Sequence, residues 1–463
     1  MELDAVLLSR IQFFWVIALH ILLPAFTVGL ASYIAVLESL HLATRNAVYL
    51  RLSQYWIKIF AVSFGLGVVS GIVMPFQFGT NWSRFSDATA DIVGPLMAYE
   101  GLTAFFLEAA FLGVLLFGRK LVPPWAHCAS AVLVAIGTFS SSFWILAVNS
   151  WMQTPTGHSL FDGRFYPQDW VQVIFSPSFP YRLAHTLTAF FITTAFVVMA
   201  AAAYHLRRGR FVAESRTMLT MGLWLVTLLV PAQIVIGDLH GVNTFHHQPA
   251  KIAAMEGLWE TRTRAPAVLF AIPDESAERN RFEIAIPGLA SLYLAHDLDG
   301  VVRGLREWAP DDRPPVAIVF FAFRVMVGMG VLMLAVVAVG QWLRLRQRLF
   351  DRPWFLRLLQ YSAPIGFVAV IAGWITTEAG RQPWVVYGLM RTRDAVSPSI
   401  TGGDVAISLA IYVAVYLLVF GAGLRLLLRL IAAGPAVAAE EPSPSARPAR
   451  PISAATPGPE TTP

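Results

Sequence analysis

"PVAIVFFAFRVMVGMGVLMLAVVAVGQWL", residues 315–343, carries one charged side chain, Arg324, and is followed at once by Arg344, Arg346 and Arg348. A helix of about 20 residues crosses the roughly 30 Å hydrocarbon core of a bilayer, so this run reads as a membrane span closed by an arginine cluster. Eight further runs of similar character lie near 12–38, 54–78, 94–118, 124–150, 182–206, 217–237, 358–379 and 404–431. The fold expected is an all-α integral membrane protein of about nine transmembrane helices. Composition agrees: 56% hydrophobic and 14% charged residues, with a mean hydropathy of +0.60, require a solvent other than water.

The basic residues between the spans alternate. Arg45 and Arg51, Arg119 and Lys120, the group Arg207, Arg208, Arg210 and Arg216, and the run Arg344 to Arg357 all fall on one side by the odd-even count. The positive-inside rule puts that side in the cytoplasm, which predicts an outer N-terminus and a cytoplasmic C-terminus. The net charge of +5 is thus spread over topology markers and makes no basic face for nucleic acid. The opposite loops carry Asp87, Asp91, Asp162 and Asp169. "MELDAVLLSRIQFFW" lacks a basic n-region, so it reads as an uncleaved first helix. Four segments follow: 1–237 with helices one to six, a long outer loop 238–314, 315–433 with helices seven to nine, and a cytoplasmic tail 434–463 whose Pro- and Ala-rich composition predicts disorder. The outer loop is proline-rich and polar, yet "APAVLFAIP" and "GLASLYLAH" within it predict partial folding over the membrane surface.

Ionisable groups inside spans are costly and mark function. The single cysteine, Cys128, excludes an internal disulfide, a CxxCH haem attachment and a cysteine-held iron–sulfur cluster. Of ten histidines, His20 and His185 lie within helices away from the cytoplasmic ends; His127 and His205 sit at the inner interface, where snorkelling accounts for them. Glu100 and Glu108 share the third helix in "MAYEGLTAFFLEAAF", about 12 Å apart with a drift of roughly 80°. Two acids in one span suggest a proton relay, the plain alternative being neutral acids bonded to neighbouring helices. Arg324 needs an anionic partner, whereas Met326, two residues on, faces elsewhere and could be core filler. Lys58, near the cytoplasmic end of the second helix, is a snorkelling lysine or the mouth of a proton path. "AGWITTEAGRQPW" (372–384) ends the eighth helix with Glu378 and Arg381. On this topology His20, Glu100, Glu108, His185, Met326 and Glu378 all fall in the outer half of the bilayer.

These residues lie in stretches that resemble subunit I of cytochrome bd-type quinol oxidases: "LSRIQF" before His20, "FQFGTNW" (76–82), "YEGLTAFFLEAAFLG", "WILAVNSWMQTPTG" (144–157), "LAHT" around His185, "GDLHG" with "KIAAMEGLWET", "FAFRVMVG" and "GRQPW". The resemblance covers nearly the whole chain apart from the tail. It implies three haems and no copper: a low-spin haem b, a high-spin haem b, and a haem d or another haem in its place. His185 and Met326 stand at the low-spin ligand positions; His20 and Glu378 match the ligands of the two high-spin irons, their order unassigned. Trp374 would pack on a macrocycle and Arg381 would meet a propionate, as would Arg324. Lys251 and Glu256 match quinol-associated residues of the outer loop, a solvated salt bridge being the alternative. The loop lacks the extra insert of the long-loop branch, so the chain is similar to the short-loop, cyanide-insensitive-like group.

The implied activity is that of a terminal respiratory oxidase in the bacterial inner membrane. It would oxidise quinol, ubiquinol or menaquinol, at the outer face and reduce O2 to water, generating proton motive force without a pump. Protons would be drawn from the cytoplasm past Lys58, Glu108 and Glu100. A second membrane subunit and a small single-span one are the implied partners. The competing classes are a proton-coupled secondary transporter, disfavoured by the missing internal repeat, and a haem b electron-transfer subunit, which would carry paired histidines on facing helices. A copper–haem oxidase needs a helical histidine cluster, whereas His246 and His247 are expected in the outer loop.

Overall fold

The computed structural model describes residues 4–435, so the tail expected to be disordered lies outside the described residues apart from Gly434 and Pro435. Among the described residues, nine helical stretches are long and apolar enough to cross a membrane. The first is broken in two, α1 (Ala5–Leu22) and α2 (Pro24–Thr44), because Pro24 has no N–H to continue the ladder. Asp4 caps α1 by accepting from the N–H groups of Val6 and Leu7, and Asn46 caps α3 (Ala47–Thr80) in the same way. The third span joins α4 (Ser83–Tyr99) to α5 (Phe106–Phe117) through a π-helical turn, Glu100–Phe105. The fourth is α6 (Pro124–Gln153). A hairpin of β1 (His158–Phe161) and β2 (Arg164–Pro167) and the short α7 (Trp170–Ile174) then lead into α8 (Phe179–Leu206) and α9 (Val212–His247).

The long connection is folded. It holds α10 (Pro249–Glu256), an antiparallel hairpin of β3 (Ala267–Asp274) and β4 (Arg279–Ile286), and α11 (Leu289–Ala295). Ile252, Leu258, Leu294, Val302 and Leu305 give it a small core of its own, closed by Val316 and Val319 of α12 (Val316–Leu345). The eighth span pairs α13 (Pro353–Tyr361) with α14 (Ile365–Ala379). A short hairpin, β5 (Trp384–Val386) with β6 (Met390–Arg391), and α15 (Thr392–Ala395) precede the last span, α16 (Gly402–Ala433).

The most buried span is α8, which packs against α2, α6, α9, α13 and α14. Small residues let these backbones close up: a Cβ on Gly29 of α2 would lie 2.3 Å from Thr194 Oγ1, and one on Gly366 of α14 would lie 2.5 Å from Thr193 Oγ1. Trp56, Phe60, Phe196, Met199 and Phe355 fill the space around them.

Three expectations change. The sixth helix runs to His247 instead of 237, although Gly237, Asp238, Gly241 and Asn243 are weak helix formers, because no proline intervenes before Pro249 and packing on α10 and α11, with Asn243 Nδ2 donating to the carbonyl of Pro177 at 3.0 Å, holds its last turns. The connecting loop therefore starts at 248, and His246 and His247 form the last helical turn. Second, α4 begins at Ser83, which puts Asp87 and Asp91 on a helix and not in a loop. Third, His127 and His205 do not snorkel. His127 is buried and pairs with Glu38 at 3.3 Å, beside Ser53 and Arg119, and His205 bonds to the carbonyl of Ile431 at 2.9 Å.

Candidate functional site

Eleven of the twelve residues singled out from the sequence line one cavity of about 1840 Å³ that runs between α1, α3, α5, α6, α8, α9, α12 and α14 and is roofed by α10. They are His20, Glu100, Glu108, His185, Lys251, Glu256, Arg324, Met326, Trp374, Glu378 and Arg381. Lys58 is the exception; it lies exposed on α3, away from the cavity.

Three of the four candidate iron ligands, His20, His185 and Met326, face a glycine on a neighbouring helix. A Cβ on Gly71 would lie 3.2 Å from His20 Cε1, one on Gly237 would lie 3.4 Å from His185 Cε1, and one on Gly373 would lie 2.9 Å from Met326 Sδ. Such spacing lets a neighbouring backbone come close to the ring or thioether and fixes it from that side. His20 Nδ1 is held by Ser70 Oγ at 2.9 Å, so Nε2 is the nitrogen left for a ligand. His185 Nδ1 is buried with no hydrogen-bond partner. Its ring meets that of His240 at 5.5 Å between centroids. His240, inside the quoted "GDLHG", was passed over in the sequence because it lay beyond the expected end of its helix.

Glu378 sits in the densest polar cluster. Its Oε1 accepts from Asn149 Nδ2 at 3.1 Å and Gln153 Nε2 at 3.2 Å, its Oε2 accepts from Arg381, and Arg182 stands 3.9 Å away. A carboxylate offers about four lone-pair sites, so one remains on Oε2. Gln153 Oε1 in turn accepts from Lys251 Nζ at 2.7 Å. Arg182, Lys251 and Arg381 thus surround one carboxylate, and Arg381 Nε and Nη1 are buried without partners. The cluster is short of anionic acceptors. Arg182, Asn149 and Gln153 were missed as site residues; the last two lie in a stretch already quoted, but nothing in a sequence says that amides reach across to another helix.

Lys251 and Glu256 are both buried and form no ion pair with each other among the described residues, which rules out a solvated salt bridge. Burial pushes the Lys251 ammonium well below the usual lysine range and raises the Glu256 carboxyl above its ordinary one, although Tyr293 and Arg324 oppose the latter. Arg324 donates to the carbonyls of Met255 (2.7 Å), Phe320 (3.0 Å) and Val268, so it pins α10 and β3 to α12; its Nε is left unpaired.

In the third span the π turn changes the expected geometry. One residue is absorbed by the wider turn, so the eight steps from Glu100 to Glu108 turn about as far as seven α-helical ones, roughly 700° or close to two full turns. Both acids then share a face more closely than the 80° drift allowed. Ser141 Oγ donates to Glu100 at 2.7 Å; Glu108 is buried against Gly137 with Oε1 unpartnered.

The family model described as cytochrome bd terminal oxidase subunit I matches residues 8–435. The chain is 34% identical to cytochrome bd ubiquinol oxidase subunit 1 of Bacillus subtilis (strain 168), over 90% of this chain and 91% of that one. It is 32% identical to cytochrome bd-II ubiquinol oxidase subunit 1 of Escherichia coli (strain K12), over 95% and 99% respectively. The solved structure of bd oxidase from Geobacillus thermodenitrificans superposes with a TM-score of 0.87 at 30% identity, covering 93% of this chain and 99% of that one. Sequence, fold and the residues gathered around the cavity agree: the chain belongs to the cytochrome bd terminal oxidase subunit I family.

Proposed function

We propose that this chain is the haem-bearing subunit of a quinol:O2 oxidoreductase that oxidises quinol beside the folded loop and reduces O2 to water within the cavity. The family is that of a terminal quinol oxidase of the bacterial inner membrane and implies haem. The observation that carries the finer reading is the collection of His20, His185, Met326, Glu378 and two acids around a single cavity.

The residues fit haem. His185 and Met326, an imidazole and a thioether each seated on a glycine, would hold the low-spin haem and leave it suited to electron transfer. His20, with Nδ1 occupied, and Glu378, with a free lone pair, each offer one ligand to a high-spin iron. The unpartnered donors of Arg381 and the surplus of cations around Glu378 suit propionate carboxylates. Trp374, stacked obliquely 5.6 Å from Phe14, would flank a macrocycle. Bound haems, two of type b and one d-type or its substitute, with no copper, supply one-electron transfer and the oxygen site.

The chain's own residues do the rest. Lys251 and Glu256 roof the cavity from α10, where they would meet the quinol head group. With its carboxyl raised by burial, Glu256 is suited to accept a quinol proton and release it on the loop side. Glu108 and Glu100, on the wall of the same cavity, would hold protons for oxygen reduction. With the N-terminus outside and protons taken from the cytoplasm, charge separates without a pump. Lys58, off the cavity, fits its reading as a snorkelling lysine better than that of a proton mouth. The partners are a second membrane subunit and a small single-span one, and the quinol is ubiquinol or menaquinol.

Glu256→Gln keeps volume and hydrogen bonding but cannot take the proton. Quinol-driven oxygen uptake is expected to fall by roughly 10²-fold, the lower end of general acid–base contributions, while dithionite still reduces every haem. Wild-type turnover in this variant would remove Glu256 from the reaction.

A further inference from the structure

The β3–β4 hairpin exposes an apolar face that nothing covers among the described residues. On β4, Phe282, Ile284 and Ile286 are all exposed: Ile284 and Ile286 flank the inward Ala285 and share one face, and Phe282, at positive φ within a register shift, stands next to them. The exposures of Phe282, Ile284 and Ile286 are 77%, 62% and 44%. Phe270 pairs with Ile284 across the hairpin and Leu269 is its neighbour; both are exposed as well. Contiguous apolar surface of this kind marks a contact with a membrane or a protein.

The height of the hairpin favours the membrane. Its base is tied to α12 by Arg324, which donates to the carbonyl of Val268, and its tip by the N–H of Ala317, which donates to Glu275 at 3.2 Å. The hairpin therefore stands beside the first turns of α12, with its base at the level of Arg324. From Arg324 to Arg344, where the arginine cluster of the other face begins, α12 runs from 324 to 344, about 30 Å along its axis. That distance is the hydrocarbon thickness. The base thus lies at the bilayer boundary and the tip about 10 Å further out.

Side-chain chemistry follows the same gradient. Leu269, Phe270, Ile284 and Ile286 crowd the base, whereas Asp274, Glu275, Glu278 and Arg279 occupy the tip, where Arg313 pairs with Glu278 at 2.7 Å. Near the base the apolar face continues into Phe321 and Val325, exposed on α12. We propose that the base of this hairpin is immersed in the headgroup and upper acyl region of the leaflet on the loop side, with Arg324 as the pin that holds it there. Leu269 of the base also lines the cavity, so the immersed base borders it.

The test uses the assembled oxidase in lipid nanodiscs. Cys128, the chain's only cysteine, is replaced (Cys128→Ser), and single cysteines are introduced as Ile284→Cys, Phe270→Cys or Arg279→Cys and labelled with bimane. Oxidase without an introduced cysteine sets the background, and an unchanged haem spectrum reports correct assembly. Labels at 284 and 270 are expected to emit at shorter wavelength and to be quenched several-fold more by lipids spin-labelled near the headgroup than by aqueous iodide. The label at 279 should show the reverse. If iodide reached 284 and 270 as readily as 279, the hairpin would stand in water. If neither quencher reached them, a protein partner would cover the face. Either result overturns the proposal.

Discussion

Replacement of Met326 by leucine is expected to abolish the low-spin haem signature and, with it, electron entry from quinol. Leucine matches methionine in volume and packs with little cost, so the helix contact at Gly373 survives. What is lost is the sulfur lone pair. An iron left with one protein ligand becomes high-spin and loses the closed coordination that suits simple electron transfer. Loss of a supporting residue around a metal centre costs roughly 10–100-fold, and loss of the ligand itself should exceed that in quinol-driven oxygen uptake. Low-temperature absorbance and electron paramagnetic resonance check the spin state independently of turnover. A low-spin band that persists in the variant would show that Met326 is core filler. Gly373→Ala gives a graded companion: its Cβ would sit 2.9 Å from Sδ, so the thioether must shift, and the low-spin band should broaden or weaken with the ligand still present.

Glu108→Gln is expected to slow oxygen reduction by about 10²- to 10⁴-fold, the range in which a positioned acid or base contributes. Glu108 is buried in the third span, packed on Gly137, with one oxygen free of any partner. A structural acid in such a place would have both oxygens satisfied, since an unmet buried polar group costs about 1–3 kcal/mol. Glutamine fills the same volume and can still hydrogen bond, so the fold should hold, but it carries no exchangeable acid proton. The low-spin haem should remain reducible by quinol while turnover stalls. Glu108→Asp should recover part of the rate. If Glu108→Gln consumed oxygen at the wild-type rate, protons would have to reach the cavity by another route.

Much of this architecture was legible because lipid imposes a strong pattern. Apolar runs such as 315–343 and the arginines that close them gave the spans and their alternation, and the quoted stretches gave eleven of the cavity's residues. The misses have specific causes. Hydropathy drops at Gly237 and Asp238, but a helix does not end where its surroundings become polar; it ends at His247, with Gln248 as its cap before Pro249. His240 was hidden by that error. The π turn at Glu100–Phe105 leaves no mark in composition, yet it sets the relation between the two acids. Glu38 was not singled out from the sequence. Only the packing of α2 against α3 and α6 shows it buried with Ser53, Arg119 and His127. Lys251 was readable as a site residue, but its link through Gln153 to Glu378 depends on α10 folding back over α6 and α14.

The claim on which the rest depends is that the cavity holds haem on these four ligands. The most direct measurement is a reduced-minus-oxidised absorbance spectrum of the purified oxidase containing this chain, followed by pyridine haemochrome analysis. The expected spectrum has b-type bands of one low-spin and one high-spin haem together with a third haem, seen as a chlorin band in the red where it is haem d. A preparation that is folded and complete in its subunits but carries no haem would contradict it.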